Sequence, residues 1–474
     1  MRLLFFFLGL IVLFLPGKIT AQITPSFTES KLVPVEVPDG QEYIFGYLEV
    51  PENRSDPNSI AIKLPVYIFK SRNEKPAPDP IIYTVGGPGS SSLSAARYMN
   101  YYQYLNDRDF ILFEQRGTFY SKPSLNCSEW SETSDSYNYE SAALDCRTRL
   151  SSEGIDLNGY RTTEIAADME DLRKLLSIEQ WNLLTISYST KIAQVMMREY
   201  PETIRSVVMD SPLPLEVSFD EESAENLMEV LHRIFYDCSN QPTCESKFPN
   251  LKERFFDFIK EKNKFPIQLT VPDSKEIITY SGTEIALLLE GLSYEMSPMI
   301  PSLVKLLLAG DYSNLPTEKS NSSSFSDGIG LGMRLSVWCA EELPFASQEV
   351  IKNERTKYPE IYGYNPEVFS KKVCDNWNVA PDYKIENEAI SSKIPTLVLS
   401  GSYDATTPLS WAEQINENLE NSFLLVFSGW KHGLTTNWGN SCAMEAANQF
   451  FNNPENMPTS ECIVEVNSFS FTTE

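Results

Sequence analysis

Trp181-Asn182-Leu183-Leu184-Thr185-Ile186-Ser187-Tyr188-Ser189-Thr190 decides how this chain is read. A mostly apolar run enters a serine, and apolar residues then recur at helical spacing at Ile192, Val195 and Met196. A strand that passes so abruptly into a helix leaves its serine on a tight turn with the hydroxyl outward. The first turn of the helix then points its free N–H groups at negative charge developing there.

Working outward, short apolar runs of the same kind recur at residues 81–85, 110–113, 207–209, 396–399 and 423–427. Helical stretches separate them, such as Ile165, Met169, Leu172, Leu175 and Leu176 ahead of Trp181. Continuous apolar strands alternating with helices predict an α/β fold, a parallel sheet covered on both faces. Residues 43–50 and 60–69 flank a turn-rich stretch and read as an antiparallel opening pair. After Ser211-Pro212 the alternation stops. Helical patterns follow at 227–235, 251–259, 283–292 and 300–308, with a hairpin at 267–271 and 277–280 and a Ser/Asn-rich loop at 320–326. The sheet pattern resumes at Ile394. This divides the chain into a first core part (22–212), an inserted helical cap (213–387) and a second core part (388–474). The alternative, a helical domain in tandem, does not explain why the chain returns to finish the sheet.

Arg2 and the apolar run from Leu3 to Leu15, followed by Thr20-Ala21-Gln22, read as a signal peptide over residues 1–21. The run is short for a bilayer crossing, so no stable membrane insertion is expected once the leader is removed; an uncleaved anchor is the alternative. Eight cysteines fit an exported chain, periplasmic or extracellular. They allow on the order of a hundred connectivities. Short loops close at the least entropic cost, which favours 127–146, 238–244, 339–374 and 442–462. No C-x-x-C pair occurs and histidines number two, so neither a zinc site nor a redox cofactor is expected. The net charge of −26 repels phosphate backbones and argues against nucleic acid as a partner.

A serine nucleophile needs a base, and the base needs an acid to fix its tautomer. His232 sits within a helical pattern ahead of the resumed sheet and reads as a helix-surface residue. His432, in Ser428-Gly429-Trp430-Lys431-His432-Gly433, follows the last apolar run, where a loop presents it above the carboxyl edge of the sheet. Asp404, in Leu399-Ser400-Gly401-Ser402-Tyr403-Asp404, ends another apolar run. Ser187, Asp404 and His432 thus stand in the chain order Ser, Asp, His, each behind a different strand. Val85-Gly86-Gly87-Pro88-Gly89 supplies a glycine-rich loop whose backbone can approach a substrate. Gly87 N–H, with Gly86 as the alternative, is expected to join Tyr188 N–H in holding an oxyanion. The usual strand-turn-helix pattern around such a serine is G-x-S-x-G; Thr185 and Ser189 replace both glycines.

At these residues the chain resembles the prolyl and tripeptidyl aminopeptidase family of α/β-hydrolases. Val85-Gly86-Gly87-Pro88-Gly89 is similar to that family's H-G-G-P-G, and Glu114-Gln115-Arg116-Gly117 to its D-Q-R-G. Gly401-Ser402-Tyr403-Asp404 and Trp430-Lys431-His432-Gly433 match its acid and base segments. The resemblance implies an α/β-hydrolase fold, a mostly parallel eight-stranded sheet with helices on both faces and an inserted, mainly helical cap. It also implies a two-step acyl transfer that releases residues from a free peptide N-terminus. Such enzymes hold the substrate ammonium with acids from the cap, and Cys339-Ala340-Glu341-Glu342 resembles a segment carrying one, which makes Glu341 the candidate. Arg116 is expected to brace the loop beneath the site. The partner is a peptide or small acyl substrate. An esterase with the same triad, or a non-catalytic binding protein on the same scaffold, are the competing readings.

Overall fold

The computed structural model describes residues 23–130, 138–271, 275–318, 328–365, 368–383 and 388–473. The leader expected at 1–21 and the Ser/Asn-rich loop expected at 320–326 lie outside the described residues. The apolar runs form strands wherever helices can cover both faces. In chain order these are β1 (Ser26–Glu29), β2 (Tyr43–Pro51), β3 (Ala61–Phe69), β4 (Ile81–Thr84), β5 (Phe110–Phe113), β6 (Trp181–Ile186) and β7 (Ile204–Asp210). A separate hairpin follows, β8 (Ile267–Thr270) with β9 (Ile277–Tyr280), and then β10 (Thr396–Gly401) and β11 (Ser422–Phe427). Every residue of β4, β5, β6 and β10 is buried.

The main sheet has nine strands in the order β1-β2-β3-β5-β4-β6-β7-β10-β11. From β5 to β11 all neighbours run parallel; β3 is antiparallel to both of its neighbours, and β1 is antiparallel to β2. Eight strands were expected, and β1 is the ninth. Its Ser-Phe-Thr-Glu sequence is mostly exposed at the sheet edge, so it carries no apolar run to announce it.

Alternation along the strands splits the core in two. Ile82 and Leu183 point to one face; Ile81, Tyr83, Leu184 and Ile186 point to the other. The first face is covered by α1 (Tyr139–Ser152), α2 (Thr162–Leu175) and α3 (Ser189–Glu199), the second by short turns at Ser92–Asn106 and the helix Cys442–Asn452. β6 lies between β4 and β7 and feeds α3 directly.

Between β7 and β10 the chain leaves the sheet. Here α4 (Phe219–Asn240), the helices Leu251–Lys264, Gly282–Glu290 and Ile300–Leu308, and the β8–β9 hairpin share a core of their own. The rest of the insertion behaves differently. Leu331, Leu335, Trp338 and Trp377 join the apolar layer against the first face of the main sheet. All four neighbouring cysteine pairs form disulfides: Cys127–Cys146, Cys238–Cys244, Cys339–Cys374 and Cys442–Cys462. Among the described residues no helix is long and apolar enough to cross a membrane.

Candidate active site

Ser187 has φ +60°, a left-handed conformation that costs a non-glycine residue on the order of 1–3 kcal/mol. The surroundings hold it there. Ser187 N–H donates to Asp210 O at 2.9 Å, and Ser187 O accepts from Thr190 Oγ1 at 2.7 Å. Thr185 and Ser189, which stand where glycines were expected, are used rather than tolerated. Thr185 Oγ1 donates to Val208 O at 3.2 Å. Ser189 Oγ accepts Ile186 N–H at 2.8 Å and lies 2.7 Å from Thr84 O, to which it donates. The side chain thus ties the turn to the end of β4, where the glycine-rich loop begins. Gly86 is the position that must stay bare: a Cβ there would come within 2.7 Å of Ser187 Cβ and 2.9 Å of Tyr188 N.

Asp404 and His432 meet. Nδ1 of His432 lies 2.8 Å from Asp404 Oδ2, with the Asp404 side chain 1% and the His432 side chain 32% exposed. Asp404 is braced by Thr406 and Thr407, whose N–H groups donate to Oδ1 at 2.9 and 3.0 Å, and by Thr407 Oγ1 donating to Oδ2 at 2.8 Å. A carboxylate on Nδ1 assigns the proton there and leaves Nε2 as the basic nitrogen. Burial pulls the His432 pKa down, but the carboxylates of Asp404, Asp210 and Glu290 outweigh it, and the net shift is upward. Burial pushes Asp404 up, yet His432 and the Thr407 donors bring it below its ordinary value. The two shifts describe one stabilised pair. No hydrogen bond joins Ser187 Oγ to His432 among the described residues, a looseness common before substrate tightens such a site. Both nevertheless hang on the end of β7, Ser187 through Asp210 O and the base loop through Gly433 N–H, which donates to Ser211 Oγ at 2.9 Å.

The glycine-rich loop is held from beneath. Glu114 accepts from Ser91 Oγ (3.0 Å) and Leu93 N–H (3.1 Å), and Gln115 donates to Thr84 Oγ1 at 2.7 Å. From above, Arg334 donates to Gly87 O at 3.0 Å. Arg116 is fully buried and pairs with Asp168 at 2.6 Å, away from the serine. Glu341 does not face open space. It is 1% exposed, and its carboxylate accepts Thr162 N–H at 2.7 Å and Thr162 Oγ1. Thr162 Oγ1 in turn lies 2.7 Å from Tyr188 OH. Burial pushes Glu341 up to about 7. The next residue, Glu342, pairs with Lys191 on α3.

A cavity of about 360 Å³ opens beside His432, lined by Glu290, Leu292, Tyr294, Trp430 and Lys431 among others. Lys431 Nζ donates to Leu289 O at 3.3 Å and also to Glu290 O. Burial raises the Glu290 pKa, against the pull of Lys431 and His432. Nothing in the sequence singled out Glu290, since it ends an ordinary amphipathic helix. Asp210 could have been found: like Asp404, it is a carboxylate at the mouth of an apolar strand. A larger cavity, about 710 Å³, lies at the opposite edge of the sheet near Gln180, Ile204 and Pro395.

A family model described as the alpha/beta hydrolase fold matches residues 79–434. Serine protease Hip1 of Mycobacterium tuberculosis is 22% identical over 462 residues, covering 87% of this chain and 85% of that protein. Tripeptidyl aminopeptidase of Streptomyces lividans is 27% identical over 186 residues, 35% of this chain and 34% of that protein. Among solved structures, a proline iminopeptidase of Mycobacterium smegmatis aligns at 12% identity and a TM-score of 0.39, over 83% of this chain and 96% of that one.

Proposed function

The chain belongs to the alpha/beta hydrolase family, and from that footing we propose that it is an exported serine aminopeptidase, releasing residues from peptide N-termini through Ser187, His432 and Asp404. The observation that carries this reading is the 2.8 Å Asp404–His432 pair, assembled from two segments that follow different strands of one sheet. Nε2 of His432 takes the Ser187 proton as the oxygen attacks the carbonyl. Tyr188 N–H and Gly87 N–H, or Gly86 in its place, stabilise the oxyanion. His432 returns the proton to the leaving amine, and water, activated by the same nitrogen, releases the acyl group. Each proton passes through His432, and water is the one co-reactant.

Recognition of a free ammonium passes from Glu341, which is enclosed, to Glu290, which lines the cavity shared with His432. Export rests on the apolar leader and on the four disulfides, which persist outside a reducing cytosol.

Ser187→Ala is expected to lower kcat on aminoacyl arylamides by on the order of 10⁴-fold or more and to keep the fold. It should also abolish labelling by a fluorophosphonate probe. Activity near the parent's would reject the nucleophile. Faster turnover of acyl esters than of any free-amine peptide would replace the aminopeptidase reading by an esterase.

A further inference from the structure

Asp210 is fully buried, and no ion pair to it forms among the described residues. Burial raises its pKa, opposed by hydrogen bonds from the base loop and from Ser211. The donors that solvate it are specific. Leu434 N–H donates to Oδ1 at 2.9 Å, Thr435 N–H to Oδ2 at 2.7 Å, Thr435 Oγ1 to Oδ2 at 2.6 Å, and Ser211 Oγ to Oδ1 at 3.0 Å. Ser211, at φ +53°, also accepts Gly433 N–H at 2.9 Å and donates its own N–H to Leu399 O at 2.9 Å. The three amides that follow His432 therefore all end on two residues at the tip of β7. The carbonyl of the same Asp210 receives Ser187 N–H at 2.9 Å.

We propose that Asp210, with Ser211, is a positioning unit that fixes the base loop against the nucleophile turn, so that the distance between His432 and Ser187 is set by one residue bonded to Ser187 and to the loop that follows His432. β7 lies between β6, which carries Ser187, and β10, which leads to Asp404. A node on that strand is the shortest rigid path between the three segments. A cap on the turn Leu434–Thr436 alone would need only the side-chain bonds; the backbone bond to Ser187 makes the same residue part of the nucleophile turn. The inference rests on the triad reading above.

The charge of Asp210 reaches His432 as well. The groups facing that imidazole are Asp404 behind β10, Glu290 from the insertion, Lys431 on its own loop and Asp210 from β7. Removing one negative charge lowers the imidazole pKa, so the acid limb of kcat/KM moves to lower pH.

The full chain carrying Asp210→Asn, Ser211→Gly or Thr435→Val tests this, with Ser187→Ala beside it. Asn keeps the shape but turns an amide donor towards Leu434 or Thr435 N–H. Asp210→Asn is expected to reduce kcat on the order of 10- to 100-fold, with KM within about twofold and the acid limb displaced downward. Ser211→Gly, which removes the bonds to Asp210 Oδ1 and from Gly433 N–H, and Thr435→Val, which removes the one from Oγ1 to Asp210, are expected to lose about three- to tenfold in kcat. Fluorophosphonate labelling of Ser187 should slow in the same order. A folded Asp210→Asn chain with the parent's kcat and acid limb overturns the proposal, as does a kcat loss with an unmoved limb. If Asp210→Asn does not fold, parental kcat in the folded Ser211→Gly and Thr435→Val chains overturns it. An active Ser187→Ala chain fells the triad reading itself; an inactive one beside unaltered Asp210, Ser211 and Thr435 variants fells this inference alone.

Discussion

Glu341 and Glu290 are both acids of the insertion, and their surroundings separate their roles. Glu341 is closed in, with its oxygens on Thr162 and, through Thr162, on Tyr188 OH. Glu341→Gln is therefore expected to lower kcat/KM on a free-amine arylamide and on its N-acetylated counterpart alike. Glu290 lines the cavity beside His432, so Glu290→Gln should weaken the free-amine substrate alone. A charge-assisted hydrogen bond contributes about 1.5–3 kcal/mol, or roughly 10- to 100-fold. Equal losses on both substrates for Glu290→Gln would remove its recognition role. Glu114 gives a pH signature. Burial pushes it up to about 7, against the bonds from Leu93 and Ser91. Its folded pKa exceeds its unfolded value of 4.5, so its stabilising contribution is complete below 4.5 and fades as pH rises through about 7. The difference in unfolding free energy between parent and Glu114→Gln, followed from pH 4.5 to 7.5 by urea denaturation, should drift by up to a few kcal/mol against the parent. A pH-independent difference would mean Glu114 is charged throughout. The His432 pKa is shifted in the same direction with the opposite consequence: the neighbouring carboxylates raise it and the base must be neutral, so activity should rise with pH through a midpoint above the ordinary imidazole value.

Elements were legible where their burial was one-sided or where a strand was apolar throughout. Residues 110–113 and 300–308 coincide with β5 and the helix Ile300–Leu308, and 267–271 with 277–280 contain the observed hairpin. β7 runs longer than its apolar centre because polar Ser206 and Asp210 are buried in the strand through hydrogen bonds, which hydropathy does not register. The helix Leu331–Val337 and the wide turn Trp338–Glu342 were not expected. All of their residues are buried, Arg334 and Glu341 included, so no amphipathic period exists to be read. For the site, strand ends exposed Ser187, Asp404 and His432 as candidates, but the partners of Glu341 lie far away in the chain and no spacing points to them. The wide turn is fastened by Cys339–Cys374, which closes a separation of 35 residues, against 6 for Cys238–Cys244. Loop closure predicts a loss of about 4 kcal/mol when the first pair is replaced by serines and about 2 kcal/mol for the second, read by denaturant unfolding. The first replacement should also reduce kcat, since it frees the turn that holds Thr162. An unchanged kcat in the folded Cys339→Ser/Cys374→Ser chain would detach that turn from the site.

At the scale of the molecule the insertion feeds two cores. Its first part, from Ala224 to Leu315, closes a core around Leu231, Phe255 and Val304 that also takes in Ile361, Tyr403 and Phe471 but no residue of the main strands. Its second part, apart from Tyr358, Ile361 and Tyr364, which pack in the first core, is built into the body. Gly330 N–H donates to Gly89 O at 2.7 Å, Gly332 N–H donates to Leu125 O at 2.9 Å, and Leu331, Leu335, Trp338, Phe369 and Trp377 share the layer under β4 and β6. A unit with its own core can open without breaking the sheet; one that shares the sheet's core cannot. Native-state hydrogen exchange is therefore expected to divide the insertion. Amides of Leu251–Lys264 should exchange through an opening of lower free energy, while those of Leu331–Val337 exchange only with β6. Opening of the first part moves Glu290 with it and leaves Arg334 on Gly87 in place. On the proposed aminopeptidase reading, a cap that moves in this way would admit substrate beside Glu290 while the glycine-rich loop stays formed. Exchange of both parts at a single rate, distinct from that of the sheet, would make the insertion one body and oblige the whole of it to lift before a peptide could enter.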